Sequence, residues 1–176
     1  EVIGITLLFS GASSHCTEQD IYDAKMVAKQ LKIEHYTVDV TALFKRKVIN
    51  YFIKTYSEAR TPNPCAICNR EVKFKTLLEK ADELGVGFIA TGHYARIQQS
   101  NNQYYLLKGK DSIKDQSYFL ARLKKEWLAK LLFPLGEYNK NAVSEIAKQS
   151  HLPFYKKEES QEVCFIKGND YREFLL

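Results

Sequence analysis

The sequence predicts an α/β fold in which helices cover both faces of a parallel β-sheet. Apolar runs of strand length at residues 2–9 and 88–91 match strands buried on both faces, and residues 35–40 form a further short strand pattern. Longer helical patterns separate these segments. Strands that alternate with helices are typical of βαβ units with parallel pairing.

Three helices are expected in the first half of the chain. The first covers residues 18–31, where Thr17 can cap the N-terminus, and its apolar stripe consists of Ile21, Ala24, Val27, Ala28 and Leu31. The second begins at Thr41. Two prolines within residues 60–64 prevent a helix from continuing there, so the third covers residues 65–84 and ends at Gly85.

A different pattern follows Gly92. Residues 94–98 and 104–108 predict a hairpin around Ser100–Asn102. Short helices are expected at residues 115–123, 125–132 and 140–149, and Asn139 is suited to cap the last of them.

Composition narrows the class of protein. The chain has 176 residues, 45% of them hydrophobic and 27% charged, which is an ordinary globular mixture. It contains no apolar run of about 18 residues and begins without the pattern of a secretory signal, so we expect no membrane association and a cytoplasmic location. The 8 glycines form neither of the common phosphate-loop motifs.

The net charge of +5 is concentrated in one stretch. Residues 101–130 hold seven basic and three acidic side chains, interleaved with Tyr104, Tyr105, Tyr118 and Phe119. Such a stretch can bind a phosphate backbone, although a solvated hairpin and helix surface has the same composition.

The 4 cysteines predict reduced thiol chemistry rather than a secreted disulfide framework. Cys65 and Cys68 form a C-x-x-C motif that Asn63-Pro64 leads into a helix start, where the helix dipole stabilises a thiolate. Packing of two small residues is the alternative. The motif alone does not distinguish redox from metal chemistry, and the four ligands of a structural zinc site are not present.

Two further positions are candidates for function. Cys164 lies between a polar and an apolar segment, and a cysteine in such a pattern is by itself more often a core residue than a catalytic one. Gly92-His93 follows a predicted parallel strand, at the edge where such sheets bind ligands, and a glycine there permits close approach of a nucleotide. A hydrogen-bonded structural histidine is the alternative for His93.

Several stretches occur in the order and with the spacing of one enzyme family. They are Tyr22-Asp23-Ala24, Arg60-Thr61-Pro62-Asn63-Pro64, Cys68-Asn69, Lys73-Phe74, Ala90-Thr91-Gly92-His93-Tyr94-Ala95-Arg96, Lys114-Asp115-Gln116-Ser117-Tyr118-Phe119-Leu120, Phe133-Pro134-Leu135-Gly136, Ser160-Gln161 and Cys164-Phe165-Ile166. From about residue 18 to its end, the chain resembles the tRNA-specific 2-thiouridylases, which place sulfur on the wobble uridine of certain tRNAs.

The resemblance implies the fold of PP-loop ATP pyrophosphatases, which is adenine-nucleotide α-hydrolase-like. A catalytic domain over residues 1–165 and the start of a truncated central domain over residues 166–176 are expected. The resemblance also implies that the enzyme uses ATP with Mg²⁺ and acts on tRNA. It implies a sulfur-donor protein as partner, either a cysteine desulfurase or a sulfur relay protein. ATP would adenylate the uracil C2 oxygen before sulfur is transferred.

The resemblance also assigns roles to residues. Cys164 matches the persulfide cysteine, and Cys68 matches the cysteine that frees the sulfur and closes a disulfide with Cys164. Gly92 matches a nucleotide-contacting glycine. The tripeptide Asn63, Pro64 and Cys65 matches the segment that contacts the target base. The tripeptide Lys114, Asp115 and Gln116 matches a segment that contacts the tRNA.

The chain departs from the family pattern in two ways. Cys65 stands where the family commonly has Asp, so Cys65, Cys68 and Cys164 are alternative ligands of an iron–sulfur cluster in an iron–sulfur-dependent tRNA thiolase. The family's Ser-Gly-Gly-x-Asp-Ser loop and C-terminal β-barrel are missing, and we expect a fragment cut between them. A non-catalytic RNA-binding or redox module is the alternative if the native chain starts at Glu1.

Overall fold

The computed structural model describes residues 1–10, 18–152, 163–166 and 170–175. The chain divides into two compact units. The first contains Glu1–Pro64 with Leu152–Leu176, and the second contains Cys65–His151. The domain boundary expected at residue 165 stays a prediction.

A βαβ unit opens the first unit, as the sequence predicts. Strands β1 (Ile3–Leu8) and β2 (Glu34–Asp39) pair in parallel, and helix α1 (Glu18–Leu31) connects them. Ile21 and Ala28 are buried, but the prediction for Leu31 is wrong because this side chain is exposed at the helix end. Thr17, the expected cap, lies outside the described residues.

A second helical run provides the aromatic core of the first unit. Helices α2 (Thr41–Phe44) and α3 (Asn50–Ser57) are joined by a π-helical turn at Lys45–Ile49. Phe44, Val48 and Phe52 are almost fully buried. The ring of Phe44 packs edge-on against Phe9, with 5.0 Å between ring centroids. Helix α8 (Tyr171–Leu175) belongs to the same unit.

The second unit begins with another interrupted helix. Helix α4 (Pro64–Cys68) starts at the unit boundary and leads into a π-helical turn (Asn69–Phe74) and helix α5 (Lys75–Glu83). Gly85, with φ of 67°, ends the run as predicted. π-Helical turns within α-helices are frequent at functional sites.

The parallel pair of the second unit corrects one expected helix. Strand β3 (Ile89–Ala90) pairs in parallel with β6 (Leu131–Leu132), and a 3₁₀ turn occupies Lys125–Lys130. The helix predicted over residues 125–132 is therefore wrong at its end, because Leu131 is buried opposite Ile89 in a strand pair. The strand expected at residues 88–91 is shorter, because only Ile89 and Ala90 pair with β6.

The hairpin and the last helix of the second unit are confirmed. Strands β4 (Ala95–Ser100) and β5 (Gln103–Lys108) are antiparallel, and Asn101 and Asn102 both have positive φ, as a two-residue hairpin turn requires. Helix α6 (Ser117–Leu120) is shorter than expected. In helix α7 (Lys140–Gln149), the backbone N–H of Ala142 donates to the side chain of Asn139, which is the expected cap.

A search of the described residues for membrane-spanning helices found none of sufficient length and apolar character.

Candidate active site

Helix α4 presents the two thiols of the C-x-x-C motif differently. Pro64 is the first helical residue, a position suited to its fixed φ, and Cys65 follows it in the first turn, half-buried. Cys68 begins the second turn and is buried. The sequence predicts both thiols in the first turn, and this is wrong for Cys68, where the helix dipole acts more weakly. Neither cysteine forms a disulfide.

Asn69 ties this helix to a distant loop. Its side chain is only 4% exposed, and its amide nitrogen Nδ2 donates to the backbone carbonyl of Phe119 over 3.1 Å. Its amide oxygen has no hydrogen-bond partner among the residues that the structure describes. The residue next to Cys68 therefore holds the end of the Lys114–Phe119 segment in place.

Gln116 fixes the same loop to the strand end at Gly92-His93. The backbone N–H of Tyr94 donates to Gln116 Oε1 over 3.0 Å, and the backbone N–H of Gln116 donates to the Tyr94 carbonyl over 2.9 Å. These two hydrogen bonds join the segments through both the side chain and the backbone of Gln116. The side chain of Gln116 is therefore already engaged within the protein.

Asp115 closes the loop on itself. Its carboxylate accepts hydrogen bonds from the backbone N–H of Gly109 over 2.8 Å and from both the N–H and the hydroxyl of Ser117. Burial alone would raise the pKa of Asp115, but these hydrogen bonds outweigh it and lower the pKa. Of the tripeptide Lys114, Asp115 and Gln116, the last two thus shape the loop.

Gly92 leaves space beside the loop. A Cβ atom added at this exposed glycine would lie 3.5 Å from a methyl group of Leu135, an ordinary contact distance. The protein's own packing therefore does not require a glycine at residue 92. Close approach of a ligand remains a sufficient reason for one.

His93 is a neutral imidazole at pH 7. Its Nδ1 lies 2.8 Å from the hydroxyl oxygen of Thr91, and its ring packs 5.5 Å from Phe74 and 6.0 Å from Phe133 between centroids. Burial lowers the pKa of His93 to about 4, and the positive charge of Lys73 contributes further. The structural and functional interpretations of His93 are therefore compatible, because the ring is packed yet partly accessible.

Cys164 lies in the first unit, on a turn anchored by an aromatic residue. The backbone N–H of Ile166 donates to the Val163 carbonyl, and Phe165 is buried against Phe44 and Phe52. Cys164 itself is half-buried and forms no disulfide, so it is not a core cysteine. Its expected pairing with Cys68 of the second unit stays a prediction.

The motif stretches of the second unit converge. Asn69 contacts Phe119, and Gln116 contacts Tyr94. The rings of Phe74, His93 and Phe133 all contact one another. Ser160 and Gln161 lie outside the described residues. Sequence reasoning gave no role to Asn69 or to the Tyr94 backbone, although a polar residue directly after Cys68 in a buried helix is a signal for a fixed hydrogen bond.

A search of the described residues found no group of three or more cysteine, histidine, aspartate or glutamate side chains placed to hold a metal ion. An iron–sulfur cluster on Cys65, Cys68 and Cys164 involves both units and stays a prediction.

Comparison with known proteins identifies the family of the chain. The family model described as the tRNA methyl transferase HUP domain matches residues 2–168. The tRNA-specific 2-thiouridylase MnmA 2 of Thermoanaerobacter sp. (strain X514) is 48% identical over 182 residues, covering 97% of this chain and 50% of the relative.

Two further relatives give the same result. The tRNA-specific 2-thiouridylase MnmA 1 of Caldanaerobacter subterraneus subsp. tengcongensis is 48% identical, with 99% of this chain and 51% of the relative covered. The corresponding protein of Moorella thermoacetica is 45% identical, with 99% and 52% covered. The chain spans about half the length of these curated relatives. Since the family model matches nearly all of it, the chain belongs to the tRNA methyl transferase HUP domain family and, as the sequence predicts, is similar to the tRNA-specific 2-thiouridylases.

Proposed function

We propose that the protein is a tRNA-uridine 2-sulfurtransferase, which uses ATP to replace the C2 oxygen of a wobble uridine with sulfur. The observation that carries the proposal is the convergence in the second unit of three motif stretches. Asn69 joins the Cys68 helix to the loop at Phe119, and Gln116 joins that loop to the strand end after Gly92. A thiol, a ligand-accessible glycine and a fixed loop are thus held by one set of hydrogen bonds.

The proposed reaction has an activation step and a sulfur-transfer step. ATP adenylates the C2 oxygen of the uracil and pyrophosphate leaves. Cys164 carries a persulfide from a donor protein, and the Cys68 thiolate attacks its inner sulfur, forming a Cys68–Cys164 disulfide and releasing hydrosulfide. Hydrosulfide attacks C2 and AMP leaves, after which a thiol reductant restores both cysteines.

The nucleotide and the tRNA are assigned to different parts of the site. Gly92 would lie against ATP, since its missing side chain leaves room for close approach, and Mg²⁺ would accompany the phosphates. The target base would contact Asn63, Pro64 and Cys65. The Lys114–Gln116 loop would contact the tRNA, and the side chains of Asp115 and Gln116 would shape the loop through their internal hydrogen bonds.

We infer further that residues 1–165 form the catalytic domain and that residues 166–176 open a second domain. We also propose a cytoplasmic location, since tRNA is abundant there. A cysteine desulfurase or a sulfur relay protein would load Cys164. The name of the matching family refers to methyl transfer, whereas the relatives are named for thiolation. The two distant thiols favour thiolation, because methyl transfer to a uridine gives a persulfide no role.

The test is nucleoside analysis of tRNA from cells that lack their own 2-thiouridine synthesis and carry the full-length gene of this protein. We expect 2-thiouridine with the native protein and with Cys16→Ser, a matched change at the cysteine outside the motifs. Cys68→Ser and Cys164→Ser should each lower its formation by at least about a thousandfold.

Retained thiolation in either variant would contradict the two-cysteine reaction. A methylated uridine in place of 2-thiouridine would contradict the assigned chemistry. Iron and visible absorbance in anaerobically purified protein, lost in all three variants at Cys65, Cys68 and Cys164, would instead support the iron–sulfur alternative.

A further inference from the structure

Helix α6 presents two large aromatic side chains to solvent. Tyr118 is 68% exposed and Phe119 is 37% exposed, while Leu120 of the same short helix is fully buried and fixes its orientation. The two rings contact each other edge to face, with centroids 5.5 Å apart and an interplanar angle of 70°. Two adjacent exposed rings form an apolar patch, and such patches are typical of binding surfaces.

The ring pair is mounted rigidly beside the Cys68 helix. The Phe119 carbonyl accepts the side-chain hydrogen bond of Asn69, and the Phe119 N–H donates to the Gln116 carbonyl over 3.0 Å. Both backbone polar groups of Phe119, its N–H and its carbonyl, are therefore hydrogen-bonded. A partner stacked on these rings would lie close to the residue that follows Cys68.

The charge around the ring pair is complementary to phosphate. Helix α6 lies within the basic stretch of residues 101–130. Lys125 is engaged with Gln103 and the Tyr105 ring, and Lys124 with Glu126 and the Trp127 ring. Arg122 is exposed and takes part in none of the ion pairs found among the described residues.

We propose that Tyr118 and Phe119 form a stacking platform for an unpaired base of the RNA substrate, with Arg122 at an adjacent phosphate. The choice of RNA rests on the proposed function. Proteins recognise unpaired RNA bases by stacking them on exposed aromatic rings next to basic side chains. Such a platform selects a loop over a duplex, because paired bases keep both faces covered.

The test compares two RNA probes on the full-length protein by fluorescence anisotropy. One probe is a hairpin with an unpaired loop, and the other is a blunt duplex with the same number of phosphates. Tyr118→Ala should weaken hairpin binding about fivefold to a hundredfold and change duplex binding less than about twofold. Tyr118→Phe should bind both probes like the native protein, and Phe119→Ala should resemble Tyr118→Ala.

Arg122→Gln supplies the matched control for charge. It should weaken the binding of both probes and reduce the dependence of log affinity on log salt by about one. Equal losses of hairpin and duplex binding in Tyr118→Ala would overturn the platform. Unchanged hairpin binding would also overturn it, and a concentration-dependent dimer lost in that variant would then assign the rings to a second copy.

The two proposals fail separately. Native protein that forms 2-thiouridine while Tyr118→Ala binds the hairpin normally would overturn only the platform. Native protein that selects the hairpin through Tyr118 but forms no 2-thiouridine would overturn only the proposed reaction.

Discussion

Two glycines of the second unit differ in what they make room for. At Gly136, an added Cβ would overlap the carbonyl oxygen of Ala95, so strand β4 itself occupies the space of a side chain. At Gly92, the nearest atom to an added Cβ is a methyl group at an ordinary distance of 3.5 Å. The packing of the chain requires a glycine at residue 136. At residue 92 it does not, and the space beside Gly92 can accommodate a ligand.

The rest of the site shows the same difference between groups that are fixed by internal packing and groups that are exposed. The loop around Asp115 and the turn at Gly136 are closed by internal hydrogen bonds, and the Lys110 N–H donates to the Gly136 carbonyl. By contrast, Gly92, Cys65 and Tyr118 are at least partly exposed to solvent. A rigid frame that carries a few accessible groups is how enzymes hold reacting atoms in position.

A pair of alanine substitutions tests the difference between Gly136 and Gly92. Gly136→Ala should destabilise the protein by about 3 kcal/mol or more, because the Ala95 backbone cannot move without disturbing the hairpin. Gly92→Ala should change stability by less than about 0.5 kcal/mol but weaken ATP binding. Urea unfolding measures the first effect and nucleotide titration of the full-length protein the second.

Equal stability of the two variants would show that the crowding at Gly136 is relieved at little cost. Unchanged ATP binding by Gly92→Ala would remove the assigned role of that residue.

A second prediction concerns His93 and pH. The folded state keeps the imidazole neutral because its pKa is lowered to about 4, while the unfolded state binds a proton below about pH 6.5. Stability is therefore complete above pH 6.5 and falls as the pH decreases, by about 2 kcal/mol between pH 7 and pH 5. His93→Asn keeps a hydrogen-bonding atom near Thr91 without titrating.

Urea unfolding at several pH values provides the measurement. His93→Asn should lose the slope of about 2 kcal/mol, while the contribution of His35, whose pKa burial also lowers, remains in both proteins. A native protein with equal stability at pH 5 and pH 7 would contradict the packing described for His93.

A third prediction separates a structural from a direct role of Asp115. Asp115→Ala removes the acceptor for Gly109 and Ser117 and should cost about 1–2 kcal/mol of stability. If Asp115 acted on RNA only through its negative charge, its removal would strengthen binding. The loop account predicts weaker binding instead, measurable by tRNA titration, with Ser117→Ala giving a smaller effect in the same direction.

The pH dependence of this carboxylate has the opposite cause to that of His93. The pKa of Asp115 is lowered in the folded state, so its stabilisation is present above the unfolded pKa and is lost as the pH falls through the folded pKa. Acid-induced loss of stability below about pH 4 should therefore be smaller in Asp115→Ala than in the native protein.

Local rules predicted the regular elements well. Asn139 caps α7, Gly85 ends the α5 run, and the hairpin turns at Asn101 and Asn102. The short strand β6 was missed because two residues carry no periodicity, and only their pairing with Ile89 and Ala90 defines them. The π-helical turns have no sequence signal of their own either.

The site residues assigned from the resemblance stay predictions, and the sequence did not indicate the hydrogen bonds that these residues form. The resemblance assigns Asp115 and Gln116 to tRNA contact, which stays a prediction, and it gave no indication of their hydrogen bonds with Gly109, Ser117 and Tyr94. Non-local contacts such as Asn69 with Phe119 join residues far apart in the chain, and motif spacing does not encode which side chain meets which backbone group.

In the proposed reaction, Cys68 and Cys164 transfer the sulfur, whereas Cys65 only contacts the target base. The most direct test of this claim is 2-thiouridine formation by Cys65→Asp in the full-length protein, measured beside Cys68→Ser and the iron content. We predict that Cys65→Asp, which restores the residue common in the family, keeps activity within about tenfold of native while Cys68→Ser has none. Loss of both activity and iron in Cys65→Asp would contradict the claim.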